Sequence, residues 1–161
     1  MKPTLGLILL IVAGAVVDGQ EPASSRLKAR FDAAVRAIAS TATLEPVSLP
    51  ADRTYEYQRW RYQQKTVSVR FFIPASAVEA KRLLSQLLER PVPARGVSGF
   101  GDEAWVFAPS DPQGDRTLVF RRGRVVLEVV AKGEEELQRC SKSFLREVNQ
   151  FLAQELAADQ K

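Results

Sequence analysis

Six consecutive residues, Val125-Val126-Leu127-Glu128-Val129-Val130, are apolar at every position but one. A strand with one wetted face alternates apolar and polar residues, so a run without alternation belongs in the middle of a sheet. The rest of the chain has to supply that sheet. Arg122-Gly123 separates this strand (124–131) from one at 116–121 and predicts a tight two-residue hairpin, with glycine taking the φ > 0 position. Asp111-Pro112-Gln113-Gly114-Asp115 predicts the turn into that pair from a strand at 104–108. Together these segments make a three-strand meander.

Two further strands lie upstream. Val67, Val69, Phe71 and Ile73 share one face against Thr66, Ser68, Arg70 and Phe72. Before them, Tyr55 and Tyr57 alternate with Glu56 and Gln58, but Trp60 and Tyr62 fall on the opposite phase. Such a flip implies either a bulge or a strand whose two faces are both partly covered. The Gln63-Gln64-Lys65 break between the two strands is short enough for a hairpin.

Three stretches have helical spacing. Leu27, Phe31, Ala34, Val35 and Ile38 form a stripe over 26–40, with Ser24 or Ser25 as the expected cap. Ser76-x-x-Glu79 is a capping box that opens a helix to about residue 89, where Pro91 and Pro93 stop it. The last helix begins at Glu134-Glu135-Glu136, acids placed at the positive end of its dipole. It continues through Leu137, Cys140, Phe144, Leu145, Val148, Phe151 and Leu152. The order α-β-β-α-β-β-β-α, with strands joined by short loops, predicts an α+β domain. Its antiparallel sheet should have about five strands, with helices packed on at least one face.

Ahead of this body, Met1-Lys2 is a short basic start, residues 5–17 are almost unbroken apolar chain, and small residues follow at Ala13-Gly14-Ala15 and Val17-Asp18-Gly19. The run is short for a transmembrane helix and has the length and flanks of a secretory signal peptide. The chain therefore divides into a signal peptide (1–19), a joint (20–25) and a single domain (26–161). An exported protein is expected, periplasmic or extracellular, soluble after cleavage and in contact with membrane only through an uncleaved leader. No cysteine follows the small residues to accept a lipid, and the one cysteine, Cys140, excludes an intrachain disulfide. With 45% hydrophobic and 26% charged residues, the body is an ordinary globular domain. The net charge of +4 reads as solvated surface, and nucleic acid is not an expected partner.

The catalytic vocabulary is thin. The chain has no histidine, which excludes Ser-His-Asp and Cys-His catalysis and the commonest zinc ligand. Cys140 lies on the apolar stripe of a helix and reads as a small core residue. Gly96-x-x-Gly99-x-Gly101 leads into a strand instead of opening a helix, so it reads as a turn and not as a phosphate loop. Asp102 and Glu103, with Glu128 or Glu56, could form the carboxylate pair of a glycoside hydrolase, which needs two acids about 5 to 10 Å apart. Asp111 and Asp115 lack the ligand density of a calcium loop. No catalytic residue, metal site or cofactor is assigned.

Arginines interleave with aromatics at Tyr55, Tyr57, Arg59, Trp60, Arg61 and Tyr62, near Arg70 on the adjoining strand. Such a face can stack rings and hold anions, although half of its aromatics must turn inward in a strand. Gly99-Phe100-Gly101-Asp102-Glu103-Ala104-Trp105, followed by Leu118 through Val126 with Arg122-Gly123-Arg124-Val125, resembles a pattern of small exported bacterial domains. In these, G-x-G-D-E-A opens a strand and R-x-G-x-V marks a hairpin. They include the sensor-like extracytoplasmic domains of receptor kinases, from which this chain departs in lacking paired cysteines. The resemblance covers residues 96–132 and implies a non-enzymatic binding domain. The expected function is thus a non-catalytic binding or sensor-like module for a small molecule or an envelope protein, with Trp60, Arg61, Arg70, Phe100 and Trp105 as the candidate ligand-binding residues. A carboxylate hydrolase and a polyanion-binding protein are the alternatives.

Overall fold

The computed structural model describes residues 21–109 and 114–160. The expected signal peptide (1–19) and residues 111–113 of the anticipated turn, with the calcium reading of Asp111, lie outside them. Among the described residues, three helices, α1 (Ala23–Ile38), α2 (Ala77–Leu88) and α3 (Glu134–Ala158), accompany seven strands: β1 (Thr43–Leu44), β2 (Glu56–Tyr62), β3 (Lys65–Phe72), β4 (Ala94–Gly96), β5 (Glu103–Phe107), β6 (Asp115–Arg122) and β7 (Val125–Lys132). All pairings are antiparallel, in the order β1-β2-β3-β7-β6-β5-β4. The fold is α+β, with seven strands where about five were expected. The two additional strands are the sheet edges, two and three residues long. Segments so short carry no readable alternation.

The unalternating strand is β7, and it stands fourth of seven. Both of its faces are covered for part of its length. On one face, Val125, Leu127, Val129 and Ala131 join Val67, Val69 and Phe71 of β3 and Leu118 and Phe120 of β6. They pack under Leu27, Phe31 and Val35 of α1 and Leu137, Phe144, Val148 and Phe151 of α3. On the other face, Val126, Phe72, Val119 and Phe107 pack under Ala80 and Leu84 of α2. With twelve residues, α2 is only about 18 Å long and lies on β6 and β7. Among the described residues, no helix lies above the outer strands on that side, β2 and much of β3.

The local signals were met to different degrees. Ser76 accepts the Glu79 N–H at 3.2 Å and so caps α2, while the Glu79 carboxylate accepts the Ala75 N–H at 3.1 Å, one residue before the N–H a strict capping box would use. Helix α1 instead begins at Ala23, directly after Pro22 (φ −52°), without a side-chain cap. Ser24 and Ser25 therefore lie inside the first turn, too late to act as the expected cap. The phase flip of β2 is not a bulge, because its ladder with β3 is unbroken from Glu56↔Phe71 to Tyr62↔Lys65. Gln58, Trp60 and Tyr62 face α1 and α3, while Tyr57, Arg59 and Arg61 take the other side.

Both tight hairpins form. In the β6–β7 hairpin, Arg122 pairs with Val125, so the loop is Gly123-Arg124, one residue later than expected. Gly123 keeps the positive φ, at 57°. In the β2–β3 hairpin the loop is Gln63-Gln64, with φ of 46° and 61°. Two side chains in the left-handed region carry a steric cost that Asn-Gly avoids. The double substitution Gln63→Asn, Gln64→Gly is expected to stabilise the protein by about 1 kcal/mol. The urea midpoint should rise at constant slope; an unchanged or lower midpoint would contradict the turn geometry.

Candidate functional site

The face of β2, β3 and β7 left uncovered by α2 presents three cross-strand rows. Tyr57, Arg70 and Glu128 form the first; Arg59, Ser68 and Val130 form the second. Arg61 pairs with Thr66 in the third, and Lys132 of β7 stands opposite Asp115 of β6. The loop before β2 brings Val47 and Leu49 to the rim. The result is an open concavity of about 700 Å³, floored by Ser68 and Val130 and flanked by Tyr55, Tyr57, Arg59 and Lys132. That volume falls within the range of small-molecule sites, roughly 300–1,000 Å³.

Its electrostatics are uneven along the floor. Glu128 is buried between two arginines: Arg70, whose Nε lies 2.7 Å from the carboxylate, and Arg90 from the segment after α2. Burial alone would raise the Glu128 carboxyl, but the Arg90 and Arg70 guanidiniums outweigh it and hold the group below its ordinary range. Arg70 also lies over the rings of Tyr55 (5.2 Å) and Phe72 (5.7 Å), which fixes its plane at the boundary between α2 and the concavity. This end is closed by its own ion pairs. At the other end, Arg59 lies over the Tyr57 ring at 5.8 Å and donates from Nε to the Tyr57 hydroxyl at 3.1 Å. Its terminal nitrogens have no carboxylate partner among the described residues.

Of the five residues singled out from the sequence, only Arg70 lines this concavity. Trp60 is fully buried on the opposite face, 5.8 Å from the Phe144 ring, and donates from Nε1 to Asp32 at 3.3 Å. Arg61 points outward on the open side but pairs with Glu45 at 2.7 Å at the sheet edge. Phe100 is buried against Phe120 in the helix-side core, ring centroids 6.4 Å apart. Trp105 is half-buried across from Gly96 in the β4–β5 pair, three strands away from Arg70. The five do not form one surface. The residues that do, Tyr55, Tyr57 and Arg59, belong to the same basic-aromatic stretch, and strand parity separates them from Trp60.

The candidate catalytic acids are each engaged by a base. Asp102 receives Arg121 at 3.0 Å, Arg122 at 2.8 Å and the Gly123 N–H at 2.8 Å, so it ties the glycine turn to the β6–β7 hairpin. Burial works against its ionisation, but the Gly123 N–H and the Arg122 and Arg121 charges hold the Asp102 carboxyl below its usual range. Glu103 pairs with Arg121, and Glu56 with Lys28 and Arg53. The glycine segment makes this tether possible. Gly101 has φ 71°, and a Cβ there would collide with the Arg121 carbonyl oxygen. Gly99 and Gly101 thus shape a turn that leads into β5, as expected of them.

Cys140 is fully buried, within 3.5 Å of the Tyr62 hydroxyl, and burial pushes its thiol up to about 11. A thiol in this state is a poor nucleophile. Among the described residues, no three His, Cys, Asp or Glu side chains gather as a metal-binding set, and no helix is long and apolar enough to cross a membrane. No protein-family model, curated protein or solved structure matches this chain.

Proposed function

We propose that this chain is a non-catalytic, sensor-like binding module that works outside the cytoplasm and holds a small molecule on the open half of its sheet. The observation that carries this reading is the concavity over Ser68 and Val130, which α2 leaves uncovered and which Tyr57 and Arg59 wall on one side. A sheet face of this kind normally needs cover; here aromatic rings, hydroxyls and cations stand where a longer helix would bring leucines. The acids that could support hydrolysis fit the same reading, since each is paired with arginine or lysine, Asp102 and Glu103 both with Arg121. The leader at 1–19 supports the extracytoplasmic setting.

Amide chemical shifts recorded against a library of small acids, sugars and aromatic compounds test this reading. Saturable shifts are expected at Tyr57, Arg59, Ser68 and Val130. Shifts confined to the α1–α3 layer or to the Asp102 turn, or none from any compound, would contradict it.

A further inference from the structure

The charges around the concavity do not cancel. Four cations, Arg59, Arg70, Arg90 and Lys132, surround two carboxylates, Glu128 and Asp115. Glu128 accepts both Arg70 and Arg90, and Asp115 stands across from Lys132 without a direct ion pair. One unit of the excess stays in the Arg70–Glu128–Arg90 cluster, where both guanidiniums already share a carboxylate, and the other sits at Arg59, which has no carboxylate partner among the described residues. There the Arg59 guanidinium is already positioned, its Nε committed to the Tyr57 hydroxyl and its plane near the Tyr57 ring, with its remaining donors open to solvent. Beside it on β3 stand Ser68, directly opposite in the ladder, and Thr66. Hydroxyls next to a fixed guanidinium suit a carboxylate, which accepts from both.

The opposite requirement holds a few ångströms away. Val130 on the floor and Val47 and Leu49 at the rim are apolar, and the Tyr55 and Tyr57 rings wall the same space. A bare inorganic anion would leave these surfaces wet, and a purely apolar ligand would bury the Arg59 and Lys132 charges without partners. One class of molecule meets both demands.

We infer that the concavity takes a small amphipathic carboxylate, its anionic head between Arg59 and the hydroxyls of Ser68 and Thr66, and its apolar body against Val130, Val47, Leu49 and the tyrosines. The inference rests on the binding reading above and adds the ligand class. Arg59 is the residue that sets charge preference. Arg61, two positions along the same strand but engaged with Glu45, does not contribute.

The test uses three compounds of one shape, 2-naphthoate, 2-naphthylmethanol and 2-naphthylmethylammonium, titrated into the protein with amide shifts as the readout. Naphthoate is expected to perturb Arg59, Ser68 and Val130 and to bind at least about tenfold more tightly than the alcohol, with the ammonium compound weaker still. Arg59→Gln should weaken naphthoate by about tenfold and leave the alcohol unchanged, whereas Arg61→Gln should alter neither. Both positions are exposed, so the fold tolerates either change. Equal affinity for acid and alcohol at these residues, or no effect of Arg59→Gln, would overturn the ligand class and leave the site standing. If none of the three compounds shifts these residues, the site falls as well.

Discussion

Replacing Trp60 with alanine is expected to cost about 3–5 kcal/mol of folding stability and to leave ligand affinity unchanged. The side chain has no exposed surface, packs against Phe144, and spends its indole N–H on Asp32. Truncation would open a cavity between β2 and α3, where the surrounding helices can collapse only in part. The concavity lies on the other side of the strand, so its residues would keep their positions. Chemical denaturation of the variant measures the first effect, and titration of the still-folded protein measures the second. A stability loss under 1 kcal/mol, or a selective loss of binding, would place Trp60 on the wrong face.

The second large effect is expected at Glu136, in the first turn of α3. The residue is 5% exposed, and its carboxylate receives the Tyr62 hydroxyl, Lys65 Nζ at 3.0 Å and Arg139 at 2.8 Å. Tyr62 ends β2 and Lys65 begins β3, so this one group fastens the long helix to the β2–β3 hairpin. Burial alone would raise the carboxyl, but Arg139, Tyr62 and Lys65 together lower it from 4.5 to about 2. The Tyr62 hydroxyl is pushed far upward, first by burial and then by its bonds to Cys140 and Glu136, so it stays a donor throughout.

A folded carboxyl below its unfolded value stabilises the native state above the unfolded pKa, and that contribution disappears as pH falls through the folded one. A shift of this size corresponds to about 3 kcal/mol, present above pH 4.5 and lost on the way to pH 2. Glu136→Gln should therefore be about 3 kcal/mol less stable than the wild type at pH 7, with the difference closing near pH 2. Urea unfolding of both proteins at pH 7, 4 and 2.5 reads this out. A difference that stays constant across that range would contradict the ion cluster.

Much of this architecture is legible in local pattern. The capping box at Ser76-x-x-Glu79 and the unalternating Val125–Val130 run each depend on nearby residues, and both elements formed where expected. The short edges β1 and β4 exist only because β2 and β5 offer unpaired backbone, which no local pattern records. Glu136 illustrates the same boundary. Its place in an acidic first turn was readable as helix-end electrostatics, but its inward partners come from the β2–β3 hairpin more than seventy residues earlier.

The candidate site was half legible for a similar reason. Alternation separates Tyr57, Arg59 and Arg61 from Trp60 and Tyr62, but alternation alone does not say which set faces helices. That depends on α1 and α3 packing across β2, β7 and β6 on one side while α2, short and placed over β6 and β7, covers the other only in part. Trp60 and Phe100 were drawn into the candidate set by residue type, and tertiary packing puts both in the core.

The central claim is that the uncovered half of the sheet is where a ligand sits, and Thr66→Trp tests it most directly. Thr66 is exposed on β3 and lines the concavity, so an indole there would fill the space while changing stability by no more than about 0.5 kcal/mol. The melting temperature should hold, and naphthoate binding should fall at least about tenfold. Undiminished binding to a protein whose concavity is occupied by that ring would contradict the account.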